Sequence, residues 1–175
     1  MADGQSADGA MMTETVFTPE ANPRAFRDAL GRFATGVTVI TCATSDGPMG
    51  FTANSFAAVS LDPPLVLWSP ARSSSRFEHY AQAQHYAIHV LDLAHVDWLS
   101  RFGRGGAGFH GLSHELTPEG VPVIHGALAR FDCVQHATHD GGDHLIVVGR
   151  VLRAAYREGA PLVFSQGSYG QFAEV

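Results

Sequence analysis

MGFTANSFAAVS, residues Met49–Ser60, alternates with a period of two, and its reading decides the fold. Gly50, Thr52, Asn54, Phe56 and Ala58 fall on one face and Phe51, Ala53, Ser55, Ala57 and Val59 on the other, the pattern of a strand. Small and polar side chains dominate a strand that would otherwise carry core bulk. Such a surface suits an edge strand facing solvent. It equally suits the flat edge of a ligand with amide and carbonyl groups, met by backbone N–H groups together with Asn54 and Ser55. On the N-terminal side, Val37–Thr44 is β-branched and strand-like, and Ser45–Pro48 turns it into a hairpin with Met49–Ser60. On the C-terminal side, Asp62–Pro64 ends the strand and Leu65–Ser69 forms a third.

Further outward, Ala21–Thr35 predicts a helix. Asn22 caps it, Pro23 fits its first position, and Phe26, Ala29, Leu30, Phe33 and Ala34 form one apolar stripe before Gly36. Ser75–Ala83 predicts a short helix with a capping box in Ser75 and Glu78. A strand at His85–Leu91 and a helix at Leu93–Phe102 follow, the helix with Val96, Leu99 and Phe102 on one face. Gly103–Gly111 is a glycine-rich loop, and Val121–Ile124 is a short strand. Two long strands, Ala127–His139 and His144–Tyr156, flank Asp140–Asp143, and Leu162–Ser165 is the last. Many strands in hairpins with few helices predict a mainly antiparallel β-barrel with peripheral helices. The expected organisation is a flexible N-terminal arm, residues 1–20, and one domain, residues 21–175.

The chain has 175 residues, with 11 Lys+Arg against 17 Asp+Glu and a formal net charge of −6. That balance, without a basic cluster, argues against nucleic acid or an anionic membrane as the main partner. No run approaches the ~20 apolar residues of a membrane span, and Met1–Thr18 lacks the basic and apolar regions of a signal peptide. Cys42 and Cys133 sit alone in apolar segments as core residues, so the expected location is the cytoplasm. Charged residues make up only 16%, which predicts apolar surface to be covered by a partner subunit or a ligand.

Gly103, Gly105 and Gly108 spell G-x-G-x-x-G, but the motif follows a helix and opens none, so it reads as a surface loop. Arg72-Ser73-Ser74-Ser75-Arg76 gathers hydroxyls and guanidinium groups where a helix begins, a combination that phosphate needs. Its plainer reading is a helix cap beside solvated arginines. Two histidines, His139 and His144, face each other across the Asp140–Asp143 turn if the strands pair symmetrically. They lack the further ligands of a zinc site, so contact with a ligand is expected there. No nucleophile elbow, H-E-x-x-H motif or paired carboxylates are present.

Four blocks in one order, FRDALGRFATGVTVIT (Phe26–Thr41), GFTANSFAAVSLDPPLVL (Gly50–Leu67), DGGDH (Asp140–His144) and GSYG (Gly167–Gly170), resemble the short-chain NAD(P)H:flavin oxidoreductases. These are the reductase components of two-component flavin-dependent monooxygenases. The resemblance runs from about Pro23 to about Phe172. It implies a split β-barrel of Greek-key type, a homodimer, and hydride transfer from NADH or NADPH to FMN or FAD, with reduced flavin released to a separate oxygenase. It implies that Val37, Thr38 and Val39 line the flavin, with Thr52, Ala53, Asn54 and Ser55 at the ring and ribityl chain and Ser60 and Leu61 beyond them. Arg72, Ser73 and Ser75 are implied near the phosphate. His144 is implied as the catalytic contact to nicotinamide, with Tyr169 covering that pocket and His139 nearby. Direct hydride transfer needs no side-chain acid or base, in keeping with their absence from the motifs. Two rival expectations keep the barrel: a tight flavin carrier or sensor, and a reductase of ferric chelates or a corrinoid.

Overall fold

The structure, a computed structural model, describes residues 14–104 and 107–173. Its elements are α1 (Pro23–Leu30), β1 (Thr35–Gly36), β2 (Thr38–Thr44), β3 (Gly47–Ala53), β4 (Ala57–Leu61), β5 (Pro64–Trp68), α2 (Phe77–Gln82) and β6 (His85–Val90). A 3-10 turn (Leu93–His95) then runs into α3 (Val96–Arg101). The rest is β7 (Glu115–Leu116), β8 (Pro122–Val123), β9 (Ala129–Gly141), β10 (His144–Tyr156), β11 (Leu162–Ser165) and β12 (Ser168–Gln171). Most of the expected arm, residues 1–13, and Gly105 of the glycine loop lie outside the described residues.

The expected strand Met49–Ser60 is two strands, β3 and β4, and they lie at opposite edges of a seven-stranded sheet ordered β3-β2-β6-β9-β10-β5-β4. Six interstrand intervals of about 4.8 Å would set those edges about 29 Å apart in a flat sheet. The link from Ala53 to Ala57 is four Cα steps, about 15 Å at most, so the sheet rolls until its edges meet. That link is the seam of the roll, and in it Ser55 carries the β4–β5 pairing one step further: the Ser69 N–H donates to Ser55 Oγ at 2.9 Å, and the Ser55 hydroxyl lies 3.3 Å from the Ser69 carbonyl. Beside this seam Phe56 stacks on Phe131, with ring centres 5.6 Å apart. Alternation along residues 49–60 therefore breaks at Asn54, because Asn54–Phe56 leaves one ladder before joining the other.

Inside the roll pack Ile40, Cys42, Trp68, Tyr80, Tyr86, Ile88, Cys133 and Val147. Both thiols are free, and burial pushes each up to about 12. A second cluster, with Val37, Val39, Leu91, Trp98, Phe102 and Leu162, covers the other face of β2. Phe102 lies so close to β3 that a Cβ on Gly50 would stand 2.3 Å from its ring, and only glycine fits there. Between the clusters His89 is fully buried, its Nδ1 3.1 Å from the Val39 carbonyl and its Nε2 accepting from the Ile124 N–H at 3.2 Å. Burial lowers its pKa to about 4, so the ring is neutral with the proton on Nδ1.

Several expectations change. The first helix begins as expected, with Asn22 accepting from the Ala25 N–H at 3.0 Å, but it ends at Leu30 and buries none of its residues. The capping box of Ser75 and Glu78 does not form. Ser74 Oγ instead accepts from the Arg76 N–H at 3.2 Å, which delays the helix to Phe77. Of the expected apolar face of α3, Phe102 is buried and Leu99 packs against the same cluster, but Val96 is exposed and Trp98 is the side chain buried within the helix. The β9–β10 turn is also tighter than expected: strand pairing continues to Gly141↔His144, leaving Gly142 (φ +73°) and Asp143 as a two-residue loop. His139 thus opposes Ile146, not His144. β12, within the GSYG block, was not expected as a strand.

Candidate functional site

The seam gathers the site. The buried Thr38 hydroxyl donates to the Ala53 carbonyl at 2.7 Å, fixing the backbone where β3 ends and Asn54 begins. Past Ser69 the β5–β10 pairing runs on: Leu145 N–H donates to the Pro70 carbonyl at 3.1 Å, and Ala71 bridges to His144. His144 thus stands beside the chain that leaves β5 and lines none of the three clefts described next.

Three clefts adjoin this seam. A narrow one of about 180 Å3 is lined by Val37, Thr52, Ala53, Asn54, Phe164 and Tyr169. Phe164 and Tyr169 face each other across the β11–β12 hairpin, their ring centres 5.1 Å apart. Oγ1 of Thr52 is buried here without any hydrogen-bond partner in the protein. A hydroxyl so placed is costly unless a ligand completes it, and a planar ring edge carrying amide and carbonyl groups meets that need. The residues present fit a flavin ring.

The second cleft, about 390 Å3, is lined by Phe51, Ala71, Ser73, Ser74, Ser75, Arg76 and Arg104. Arg76 is held by two carbonyls, donating to Phe102 at 3.3 Å and Gly103 at 2.9 Å. Ser73 and Ser75 stand exposed, freed by the late start of α2. Three hydroxyls and two guanidinium groups give this cleft the donors for a phosphate. The third and largest, about 620 Å3, lies between α1 and the β11–β12 turn and shares Asn54 and Phe164 with the narrow cleft.

The expected site residues divide accordingly. Val37, Thr52, Ala53, Asn54 and Tyr169 come together, and Ser55 stands behind them in the seam. Thr38 and Val39 are buried, Thr38 as a clamp on Ala53 and Val39 in the core. Ser60 and Leu61 end β4 opposite Leu65 and Pro64 and line none of the three clefts, and Leu61 is 97% exposed. Arg72 is tied to the hairpin tip, donating to Asp140 at 2.7 Å and to the Gly142 carbonyl at 3.0 Å. Its backbone N–H also donates to the Asp143 carbonyl at 2.9 Å. His144 Nδ1 lies 2.7 Å from Asp143 Oδ1, and this bond to the imidazole holds the Asp143 carboxyl below its usual range. His139 stays exposed further down β9. Among the described residues no three metal-ligating side chains converge. The hydroxyl–arginine cluster read from the sequence already contains Arg76, whereas Arg104, Thr35 and Phe164 were missed as lining residues, since nothing local marks them.

A family described as flavin reductase like domain matches residues 30–173. The chain belongs to this family. Among its relatives, FMN reductase (NADH) SmoA from Agrobacterium fabrum is 59% identical over 164 residues, covering 93% of this chain and 94% of that protein. The reductase subunit HsaB of a flavin-dependent monooxygenase from Rhodococcus jostii is 39% identical over 166 residues, covering 94% of this chain and 83% of that one. Among solved structures, the Streptomyces globisporus NADH:FAD oxidoreductase SgcE6, in complex with NAD and FAD fragments, superposes with a TM-score of 0.82 at 34% identity. That match covers 91% of this chain and 98% of the other.

Proposed function

We propose that this flavin reductase-family chain is an NADH-dependent reductase of FMN or FAD, which hands reduced flavin to a separate flavin-dependent monooxygenase. The observation that carries this reading is the Thr52–Asn54 cleft: a buried hydroxyl without a partner on a strand of small side chains, with donors for a phosphate in the neighbouring cleft. The names of SmoA and HsaB support the NADH donor and the monooxygenase partner. A bound flavin would supply the acceptor for the hydride of a bound reduced nicotinamide, a transfer that needs no side-chain acid or base. The chain's own work is to bind, align and exclude water. Thr38 fixes the Ala53–Asn54 backbone against the ring edge, Thr52 hydrogen-bonds to it, and Phe164 with Tyr169 forms the apolar wall. Ser73, Ser75, Arg76 and Arg104 hold the flavin phosphate, with Arg72 keeping the serine loop on the hairpin tip. His144, steadied by Asp143, positions the nicotinamide.

The finer architecture belongs to the same reading. The rolled sheet is the split barrel of Greek-key type, residues 21–175 act as one cytoplasmic domain, and a second copy covers apolar side chains left on the surface, such as Val59 and Leu61 on β4. The test is a steady-state matrix of FMN and FAD against NADH and NADPH. Rapid NADH oxidation that depends on added flavin is expected, and folded protein without turnover on either flavin refutes the reading. His144→Ala is expected to weaken NADH use while sparing flavin binding. Equal loss of both contradicts its role.

A further inference from the structure

Direct hydride transfer brings two phosphate-bearing molecules to one ring stack, so the site needs an anion-holding end for each. The serine–arginine cleft supplies one. We infer that the 620 Å3 cleft between α1 and the β11–β12 turn holds the diphosphate of the reduced nicotinamide dinucleotide, with Arg27 and Arg32 as its charged partners. This rests on the reductase reading above and assigns its second substrate a place.

Three observations meet here. First, the cleft shares Asn54 and Phe164 with the narrow ring cleft, so the two adjoin and an extended molecule can lie across both. Second, Arg27 and Arg32 make no side-chain hydrogen bond or ion pair among the described residues. Arg24, Arg104 and Arg150 are likewise without such a bond among the described residues, but only Arg27 and Arg32 line this cleft. Arg72, Arg76, Arg101, Arg130, Arg153 and Arg157 each donate to a carboxylate or a carbonyl. Third, Thr35 Oγ1, in the same lining, is buried and without a partner, a second orphaned hydroxyl beside that of Thr52. Asp28 is the one carboxylate in the lining, so two guanidinium groups outnumber it. Two free guanidinium forks and an uncompensated hydroxyl are the donor set of a diphosphate. Gln166, whose backbone N–H donates to the Gly31 carbonyl at 2.9 Å, fixes the hairpin turn against the end of α1 and so sets the width of the cleft.

The experiment compares NADH with 1-benzyl-1,4-dihydronicotinamide, which donates the same hydride without any phosphate, at saturating flavin. For Arg27→Gln with Arg32→Gln, KM for NADH is expected to rise at least about tenfold. The KM for flavin stays unchanged, and kcat/KM for the phosphate-free donor stays within twofold. The Kd of NADH, read from its fluorescence on flavin-free protein, is expected to rise in parallel, and Arg27→Lys with Arg32→Lys recovers part of it. An equal loss with the phosphate-free donor overturns the inference, as does an unchanged KM for NADH. A rise confined to the flavin KM assigns the cleft to the flavin and overturns it too. Wild-type protein that oxidises NADH with neither flavin sinks the reductase reading itself. Working wild type with indifferent arginine variants sinks only this inference.

Discussion

β2 and α1 are close in sequence, and both space their apolar side chains as their kind requires, yet β2 is buried on both faces and α1 on neither. The strand finds its cover inside the chain: Ile40 and Cys42 point into the roll, while Val37 and Val39 meet Trp98, Phe102 and Leu162. The helix has none. Leu30 at its end is 59% exposed and Phe33, just beyond it, 79%, and both line the 620 Å3 cleft. Periodicity states which side chains share a face; it does not state what covers that face. Where the sheet supplies its own cover the result is stability, and where cover comes from outside the result is a binding site.

The sharpest way to break that contrast is a truncation on each side. Trp68→Ala, inside the roll and fully buried, is expected to cost about 3–5 kcal/mol in urea unfolding. A loss below 1 kcal/mol would mean that the roll is not the structural core. The next effect concerns pH. His89 is lowered in the folded state to about 4, whereas the unfolded imidazole titrates near ~6.5. The unfolded chain therefore takes up the proton first, so this contribution is complete above about pH 6.5 and is lost as pH falls toward 4, on the order of 3 kcal/mol. Melting temperatures followed from pH 7 to pH 4.5 are expected to fall more steeply in wild type than in His89→Gln. Parallel curves would show that the buried ring carries no such linkage.

A smaller effect separates two threonines of neighbouring strands. Thr38→Val removes a satisfied buried hydrogen bond and is expected to cost about 1–2 kcal/mol of stability. Thr52→Val removes an orphaned hydroxyl, so stability stays within about 0.5 kcal/mol while flavin binds up to about tenfold more weakly. Chemical denaturation and a flavin titration on the same two proteins decide whether the two hydroxyls divide as stated. Smallest of all, Phe33→Ala is expected to shift stability by less than about 0.5 kcal/mol, its effect appearing only in ligand binding or self-association.

The two sides of this contrast were unequally legible. The β2–β3 hairpin, the long β9–β10 pair and the capped start of α1 carry local signals, namely β-branched runs, a Gly–Gly turn and the Asn22–Pro23 step, and each is present, although both hairpin loops shrink from the expected four residues to two. The break at Asn54 carries none. Its cause is non-local, since β4 leaves β3 to pair with β5, and no period along residues 49–60 records that change of partner. The register at His144 depended on one detail of turn chemistry, Gly142 in the left-handed region, which shortens the loop to two residues. The site followed the same rule. Asn54 was readable from its strand, and Thr52 and Ala53 came with the family resemblance, whereas Thr35 and Phe164 join the clefts only because β1 pairs with β11.

The seam at Asn54–Phe56 has a topological consequence. The two edges of the rolled sheet are joined there by the chain itself, in a link that the Ser55–Ser69 pair fastens to the end of β5, and Asn54 in that link lines both the narrow cleft and the large one. Whatever occupies either cleft therefore touches the one short stretch of chain through which the barrel returns to its own beginning.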